Sequence, residues 1–289
     1  MNALNRIIWI ASFPKSGNTW TRIFLANYFL PKEQVPDINN LRKFTLSDMR
    51  QDFFDRAAGR KFEAADFDEW LTMRVKALRL IAAAKPNPHF VKTHCQIMRV
   101  GPIDVIPPEL TAAAIYVLRN PFDVVPSYAR HMDSDLDTAI DRMLDAKHLN
   151  GIGSGIMETV GRWDDHIRRW TEAPGLPRHV MRYEDMVADP ERSFRGLLGF
   201  LRAPVQDGRL RRAVRASSFE KLKSAEEKKG FIERPKNMKA FFAKGKAGAW
   251  REDLTPAQVA RLVEGFRPTL QQWYPDVLAE AETMAGSAA

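Results

Sequence analysis

Ile7–Trp20 reads IIWIASFPKSGNTW, an apolar run that stops at a turn carrying a lysine, a glycine and small hydroxyl residues. Ile7, Ile8, Trp9 and Ile10 are β-branched or aromatic with no polar interruption, the pattern of a strand buried on both faces. Pro14 ends the run. From Thr19 to Phe29 (TWTRIFLANYF) apolar residues recur at helical spacing, with Trp20, Ile23, Phe24 and Tyr28 available for one face. Strand, glycine turn and helix in that order bring backbone N–H groups and the positive end of a helix to one point, where an anion is held.

Working outward, His89–Lys92 (HFVK) and Ala113–Leu118 (AAIYVL) predict a second and a third strand, and Val180–Arg182 a fourth that runs into Tyr183, Glu184 and Asp185. Helices are expected over Asp123–Met132, Val160–Thr171, Ser193–Leu201 and Pro256–Phe266. Val35–Ala84 reads as a mostly helical insertion, strongest at Leu71–Ala83 and closed by Pro86 and Pro88, with Phe53, Phe54, Phe62 and Phe67 as packing residues. The alternation predicts an α/β fold: a central parallel β-sheet flanked by helices, with a P-loop-like phosphate-binding loop after the first strand. Ligands in such sheets sit beyond the carboxyl ends of the strands. Neither a repeat nor a linker divides the chain, so one domain over 1–289 is expected, with residues 280–289 as a frayed tail.

The composition, 45% hydrophobic and 28% charged, is that of an ordinary globular protein and excludes long disorder. A single cysteine, Cys95, excludes an intramolecular disulfide framework and any multi-cysteine metal site; no metal is expected. The N-terminal apolar run is too short for a signal peptide or a membrane span, so no stable membrane insertion and a cytoplasmic location are expected. The net charge of +8 is concentrated: Lys221–Arg251 holds ten Lys or Arg against Glu226, Glu227 and Glu233. Such a patch suits nucleic acid or a small polyanion, and the motifs below favour the latter. Within it, residues 225–248 read as a mobile basic lid loop.

The turn differs from the nucleotide-binding P-loop, which places a second glycine before its lysine and a Ser or Thr after it. Here Lys15 comes first, then Ser16, Gly17, Asn18 and Thr19, an order that disfavours a magnesium-bridged γ-phosphate and makes a P-loop kinase a minor alternative. The chain resembles the PAPS-dependent sulfotransferases (donor 3′-phosphoadenosine 5′-phosphosulfate). Pro14–Trp20, PKSGNTW, is similar to that family's P-K-S-G-T-T-W, differing at Asn18. Arg119, Asn120, Pro121, Asp123, Ser127 and Tyr128 reproduce its R-N-P-x-D-x-x-x-S-Y. Lys92, Thr93 and His94 match its K-T-H; Trp163 and His166, with Trp170, its W-x-x-H helix; Tyr183, Glu184 and Asp185 its Y-E-D. Ser217–Glu220 lies near its T-S-F-E, and Lys244, Gly245, Gly248 and Trp250 near its R-K-G-x-x-G-D-W.

The resemblance implies transfer of a sulfuryl group from PAPS, as co-substrate, to a hydroxyl or amine of a small-molecule acceptor, leaving adenosine 3′,5′-bisphosphate (PAP). It implies His94 as general base, Lys15 at the bridging oxygen and 5′-phosphate, and Lys92 on the sulfuryl oxygens. Ser16, Gly17, Asn18 and Thr19 would hold the 5′-phosphate, and Arg119 and Ser127 the 3′-phosphate. Trp20 and Phe219 would stack on adenine with Tyr183 and Ser217 at its polar edge, and Lys244 and Gly245 would close over the 3′-phosphate. By the same reading His166 is structural, and His89, His131, His148 and His179 are surface or packing residues.

Two positions depart from the pattern. Ala243 stands where the family has arginine, with Lys236, Lys239 or Lys246 as compensating cations, and Pro256 interrupts the family's dimerisation motif, leaving the oligomeric state open. The acceptor pocket is expected from the insertion, Cys95–Gly101 and Met132–Ile156. A non-catalytic nucleotide-binding protein of the same fold is the other reading.

Overall fold

The computed structural model describes residues 6–86, 88–151, 155–235, 238–243 and 245–286. Its strands are β1 (Ile7–Ser12), β2 (Leu46–Ser47), β3 (His89–Thr93), β4 (Arg99–Val100), β5 (Ile103–Asp104), β6 (Thr111–Leu118), β7 (Leu149–Asn150), β8 (Glu158–Thr159) and β9 (Arg178–Arg182). Five form the central sheet in the order β2-β3-β1-β6-β9, every pairing parallel. β4 with β5, and β7 with β8, are small antiparallel ribbons.

The helices are α1 (Asn18–Phe29), α2 (Gln51–Ala58), α3 (Phe67–Ala82), α4 (Pro121–Met132), α5 (Leu136–Leu144), α6 (Trp163–Glu172), α7 (Tyr183–Ala188), α8 (Pro190–Phe200), α9 (Asp207–Ala216), α10 (Phe219–Lys229), α11 (Trp250–Asp253), α12 (Pro256–Trp273) and α13 (Pro275–Gly286). β1 is the middle strand, and its alternating side chains enter two cores. Ile7, Trp9 and Ala11 join a cluster with Trp70, Phe122 and Trp163, while Ile10 joins Phe24, Met181 and Phe194 on the opposite face. That two-sided burial is why Ile7–Ala11 carries no polar position.

Several expectations need correction. The mostly helical insertion over 35–84 also holds a strand that was not expected: Leu46 and Ser47 pair with Val91 and Lys92 at the sheet edge, a two-residue ladder too short to leave a period-2 signal. The tail expected to fray from residue 280 is helical through Gly286, because Leu278 and Ala281 are buried against the core. Residues 225–229 of the expected lid belong to α10. The rest is not a loose basic loop: Phe231 and Phe242 are buried in a third apolar cluster with Ile23, Ile38, Leu41 and Leu222. Glu226, 4% exposed, accepts the backbone N–H groups of Phe241 and Phe242 and so pins that segment. Pro256 serves as the first residue of α12, behind a capping box of Thr255 and Gln258. Asp137 and Asp141, on the acidic stretch after Met132, both pair with Arg261 of α12. Among the described residues no helix is long and apolar enough to cross a membrane.

A buried polar triad ties the insertion to the β3 end. Asp48 and Arg74, both 0% exposed, pair at 2.6 Å, and Asp48 also accepts the Thr93 hydroxyl at 2.6 Å. Thr93 Oγ1 in turn accepts the Cys95 N–H. Asp48→Ala would leave a guanidinium buried without its anion, so unfolding stability should fall by about 3–5 kcal/mol. Urea denaturation measures this, and a midpoint unchanged from wild type would contradict it.

Candidate active site

All five sheet strands end toward one edge, and the turn after β1 shapes the centre of that edge. Lys15 sits at φ 67°, left-handed for a residue with a side chain, and Gly17 follows at φ 109° as the N-cap of α1. A Cβ on Gly17 would lie 2.9 Å from the Tyr183 ring, so only glycine lets the turn close against that tyrosine. The backbone N–H groups at the start of α1 therefore face the cavity beyond the sheet.

That cavity, of about 440 Å³, is lined by Lys15, Gly17, Asn18, Thr19 and Trp20 from the turn and α1, and by Lys92 and His94 from the β3 end. Arg119 and Ser127 contribute from the β6 end and α4, and Tyr183, Ser217, Phe219 and Gly245 complete it. Ser16 is buried beside it but does not line it, and among the described residues its hydroxyl has no partner. Lys244 and Lys236 lie outside the described residues; Lys246 lines the cavity and Lys239 does not.

Lys15 is the electrostatic centre. Its ammonium is buried 3.7 Å from the centroid of the Phe241 ring and, among the described residues, has no hydrogen-bond partner. Burial first, then the charges of Arg119, Arg130 and Lys92, lower its pKa to about 7. A cation held at this cost beside three others marks a place shaped for an anion.

His94 is held in one tautomer. Its Nδ1 lies 2.8 Å from the Ser12 carbonyl, to which it can only donate, so in the neutral ring Nε2 carries the lone pair. Burial and the charge of Lys92 push its pKa well below 6.5 and keep the ring neutral. His166 is structural: its ring bridges the Tyr116 hydroxyl at 2.8 Å and the His94 carbonyl at 3.1 Å.

Arg119 is partly committed to the scaffold. It donates to the Lys15 carbonyl at 3.0 Å and the Lys246 carbonyl at 3.4 Å, lies 4.3 Å over the Tyr183 ring, and keeps Nε unpartnered. Asn18 turns its amide back to the Ile10 carbonyl at 2.8 Å, so its side-chain N–H is engaged in the scaffold. The Ser217 hydroxyl likewise bonds the Ala213 carbonyl at 2.9 Å. Trp20 and Tyr183 pack edge to face, and Gly245 lies so close under Phe219 that an added Cβ would be 2.3 Å from the ring. Asn120 caps α4, and Asp123 accepts the N–H groups of Gly248 and Trp250, anchoring the far end of the lid segment. Asn120 also donates to Glu184, whose second oxygen accepts the Tyr274 hydroxyl.

Several polar lining residues were not read as site residues in the sequence, among them Arg130, His131, Asn150, Glu158 and Glu233. His131, read as a packing residue, lines the cavity with Nδ1 unpartnered. Its position four residues after Ser127, with Arg130 at three, was the available signal, since both offsets share a helix face. None of residues 35–84 or 95–101, expected to build the acceptor pocket, lines this cavity.

Glu233 latches the lid segment to α1. Its carboxylate takes both terminal nitrogens of Arg22, at 2.9 and 2.6 Å, and Arg22 also reaches Thr19. Burial would raise the Glu233 carboxyl, but Arg22, with Lys92 and Lys15, holds it at about 2. Glu233→Ala should raise the rate of limited proteolysis within residues 230–243 by about fivefold, the equivalent of about 1 kcal/mol for a partly exposed pair. An unchanged cleavage rate would remove the latch from the account.

The sulfotransferase domain family matches residues 5–274. The chain is 25% identical to cytosolic sulfotransferase 10 of Arabidopsis thaliana over 270 residues, covering 88% of this chain and 75% of that protein. It is 25% identical to human sulfotransferase 1C2 over 279 residues, covering 91% and 82%. Among solved structures, retinol dehydratase in complex with retinol and PAP is similar at TM-score 0.64 and 20% identity, covering 93% of this chain and 84% of that one. Mouse sulfotransferase SULT7A1 complexed with PAP follows at TM-score 0.60 and 20% identity, covering 97% and 90%. A cavity lined by Lys15 and His94 at one edge of a parallel sheet agrees with the match along nearly the whole chain: it belongs to the sulfotransferase domain family.

Proposed function

We propose that this chain transfers a sulfuryl group from PAPS to a hydroxyl or amine of a small molecule. The observation that carries this reading is the buried, unpartnered Lys15 ammonium in one cavity with Lys92, Arg119 and a neutral His94. The unpaired Lys15 Nζ and Arg119 Nε fit a ligand with several anionic oxygens. When bound, PAPS supplies a sulfuryl group whose bond to the 5′-phosphate oxygen breaks as PAP leaves.

His94 Nε2 takes the acceptor's proton as the acceptor oxygen or nitrogen bonds to sulfur. Lys15 faces the charge left on the 5′-phosphate, and Lys92 the sulfuryl oxygens, so the electrostatic work is done by side chains already in place. The N–H groups at the start of α1 hold the 5′-phosphate. Arg119 and Ser127 hold the 3′-phosphate, with Arg130 and Lys246 adding positive charge where Ala243 has none. Trp20, Tyr183 and Phe219 provide the aromatic walls for adenine.

Incubation with sulfur-labelled PAPS and a panel of phenols, alcohols, sugars and amines tests this reading. Labelled product should form without added metal and be inhibited by PAP. PAP binding with no transfer to any acceptor would instead support a nucleotide-binding protein without turnover.

A further inference from the structure

The cavity that holds His94 is also lined by a carboxylate, Glu158, for which donor binding has no use. Glu158 on β8 lies directly opposite Asn150 on β7, so the two side chains share one face of the ribbon. Both line the cavity together with Lys92, His94 and His131. The Tyr128 hydroxyl donates to Asn150 Oδ1 at 2.9 Å, which orients the Asn150 amide N–H group toward Glu158. Glu158 is only 9% exposed and, among the described residues, makes no ion pair. Burial, with the charge of Asp48, pushes its carboxyl upward, while Lys92, the Asn150 amide and Arg74 draw it back.

A carboxylate on a cavity wall, held by one neutral donor, is short of compensating charge. Lys15 and Lys92 do not supply it during turnover, because both then face the anionic donor. Among the described residues no side chain forms an ion pair with Glu158, and the acceptor is the component still to enter.

We propose that Glu158 selects the acceptor: the group sulfated lies at His94 while a protonated amine elsewhere on the same molecule pairs with Glu158, making aminophenols and amino alcohols the acceptor class. This rests on the sulfuryl-transfer reading. The acceptor hydroxyl gives its proton to His94, its oxygen bonds to sulfur as the sulfur–phosphate oxygen bond breaks, and the ammonium keeps its proton throughout.

Matched acceptors test the assignment. At pH 7, kcat/KM for tyramine should exceed that for 4-ethylphenol and for N-acetyltyramine by about tenfold or more, the scale of a hydrogen bond between charged groups. In Glu158→Gln that ratio should fall toward one, while the thermal shift given by PAP persists and reports an intact fold and donor site. A wild-type ratio of one or below overturns the proposal, and so does a ratio unchanged in the variant. The acetylated ligand removes the charge from the other side and keeps the test valid if the variant does not fold. Transfer to uncharged phenols alone overturns only the acceptor class; PAP binding without transfer to any acceptor overturns the sulfuryl-transfer reading and the proposal with it.

Discussion

Lys15→Ala is expected to lower kcat for sulfuryl transfer by about 10²–10³-fold, the scale for removing one preorganised group that meets developing charge. The fold should survive, since the ammonium makes no hydrogen bond among the described residues and its removal relieves burial of a charge. The same residue predicts a pH effect on donor affinity. With the pKa lowered to about 7, free Lys15 loses its proton as pH rises through neutrality. PAP affinity should therefore weaken from pH 6 to pH 8, and binding at pH 7.5 should take up protons, because the bound polyanion restores the charged form. The stability consequence has the matching sign. Between about 7 and the ordinary 10.5 the unfolded chain holds more protons than the folded one, so stability of the ligand-free protein rises with pH across that window. Calorimetry in two buffers of different ionisation enthalpy reads the proton uptake. Equal uptake in wild type and Lys15→Ala would falsify the assignment.

His94→Ala should cost about 10²–10⁴-fold in kcat, the range for a positioned general base. PAP binding should change little, which separates this variant from Lys15→Ala. Because burial and Lys92 hold the wild-type imidazole well below 6.5, the acidic limb of the kcat/KM profile should fall below that pH. Activity is lost as pH drops through the His94 pKa, where Nε2 gains the proton it must accept from the acceptor. The variant should lack that limb. Retention of the acidic limb at the same pH in His94→Ala would assign it to another group, with His131, also lowered by burial, as the next candidate.

Both effects rest on residues visible in the amino-acid order. Lys15 lies in a turn between a continuous apolar strand and an amphipathic helix, and His94 lies two positions from a lysine at a strand end. Their positions were legible because backbone regularity alone directs them to the carboxyl edge of a parallel sheet, where both line the cavity. Side chains whose partners are distant in the chain were not legible. Asn18 reads as a phosphate ligand in the motif, yet its amide is turned onto the Ile10 carbonyl. Arg119 reads as a bidentate phosphate clamp, yet two of its nitrogens bond the carbonyls of Lys15 and Lys246. The segment after Lys229 reads as a basic loop from its charge, yet Phe231 and Phe242 anchor it beside α1.

The sequence by itself determined the parallel sheet and the strand–turn–helix at its first strand, because those follow from local period and turn chemistry, and its family resemblance marked Lys15 and His94, which both line the cavity. Only the tertiary structure decided which polar groups remain free to meet a ligand, since that depends on hydrogen bonds between residues as far apart as Arg22 and Glu233 or Asn120 and Glu184. It also decided which carboxylate lines the cavity. Glu158 stands in an unremarked METVG stretch, and it reaches the cavity from a short ribbon that sets it opposite Asn150.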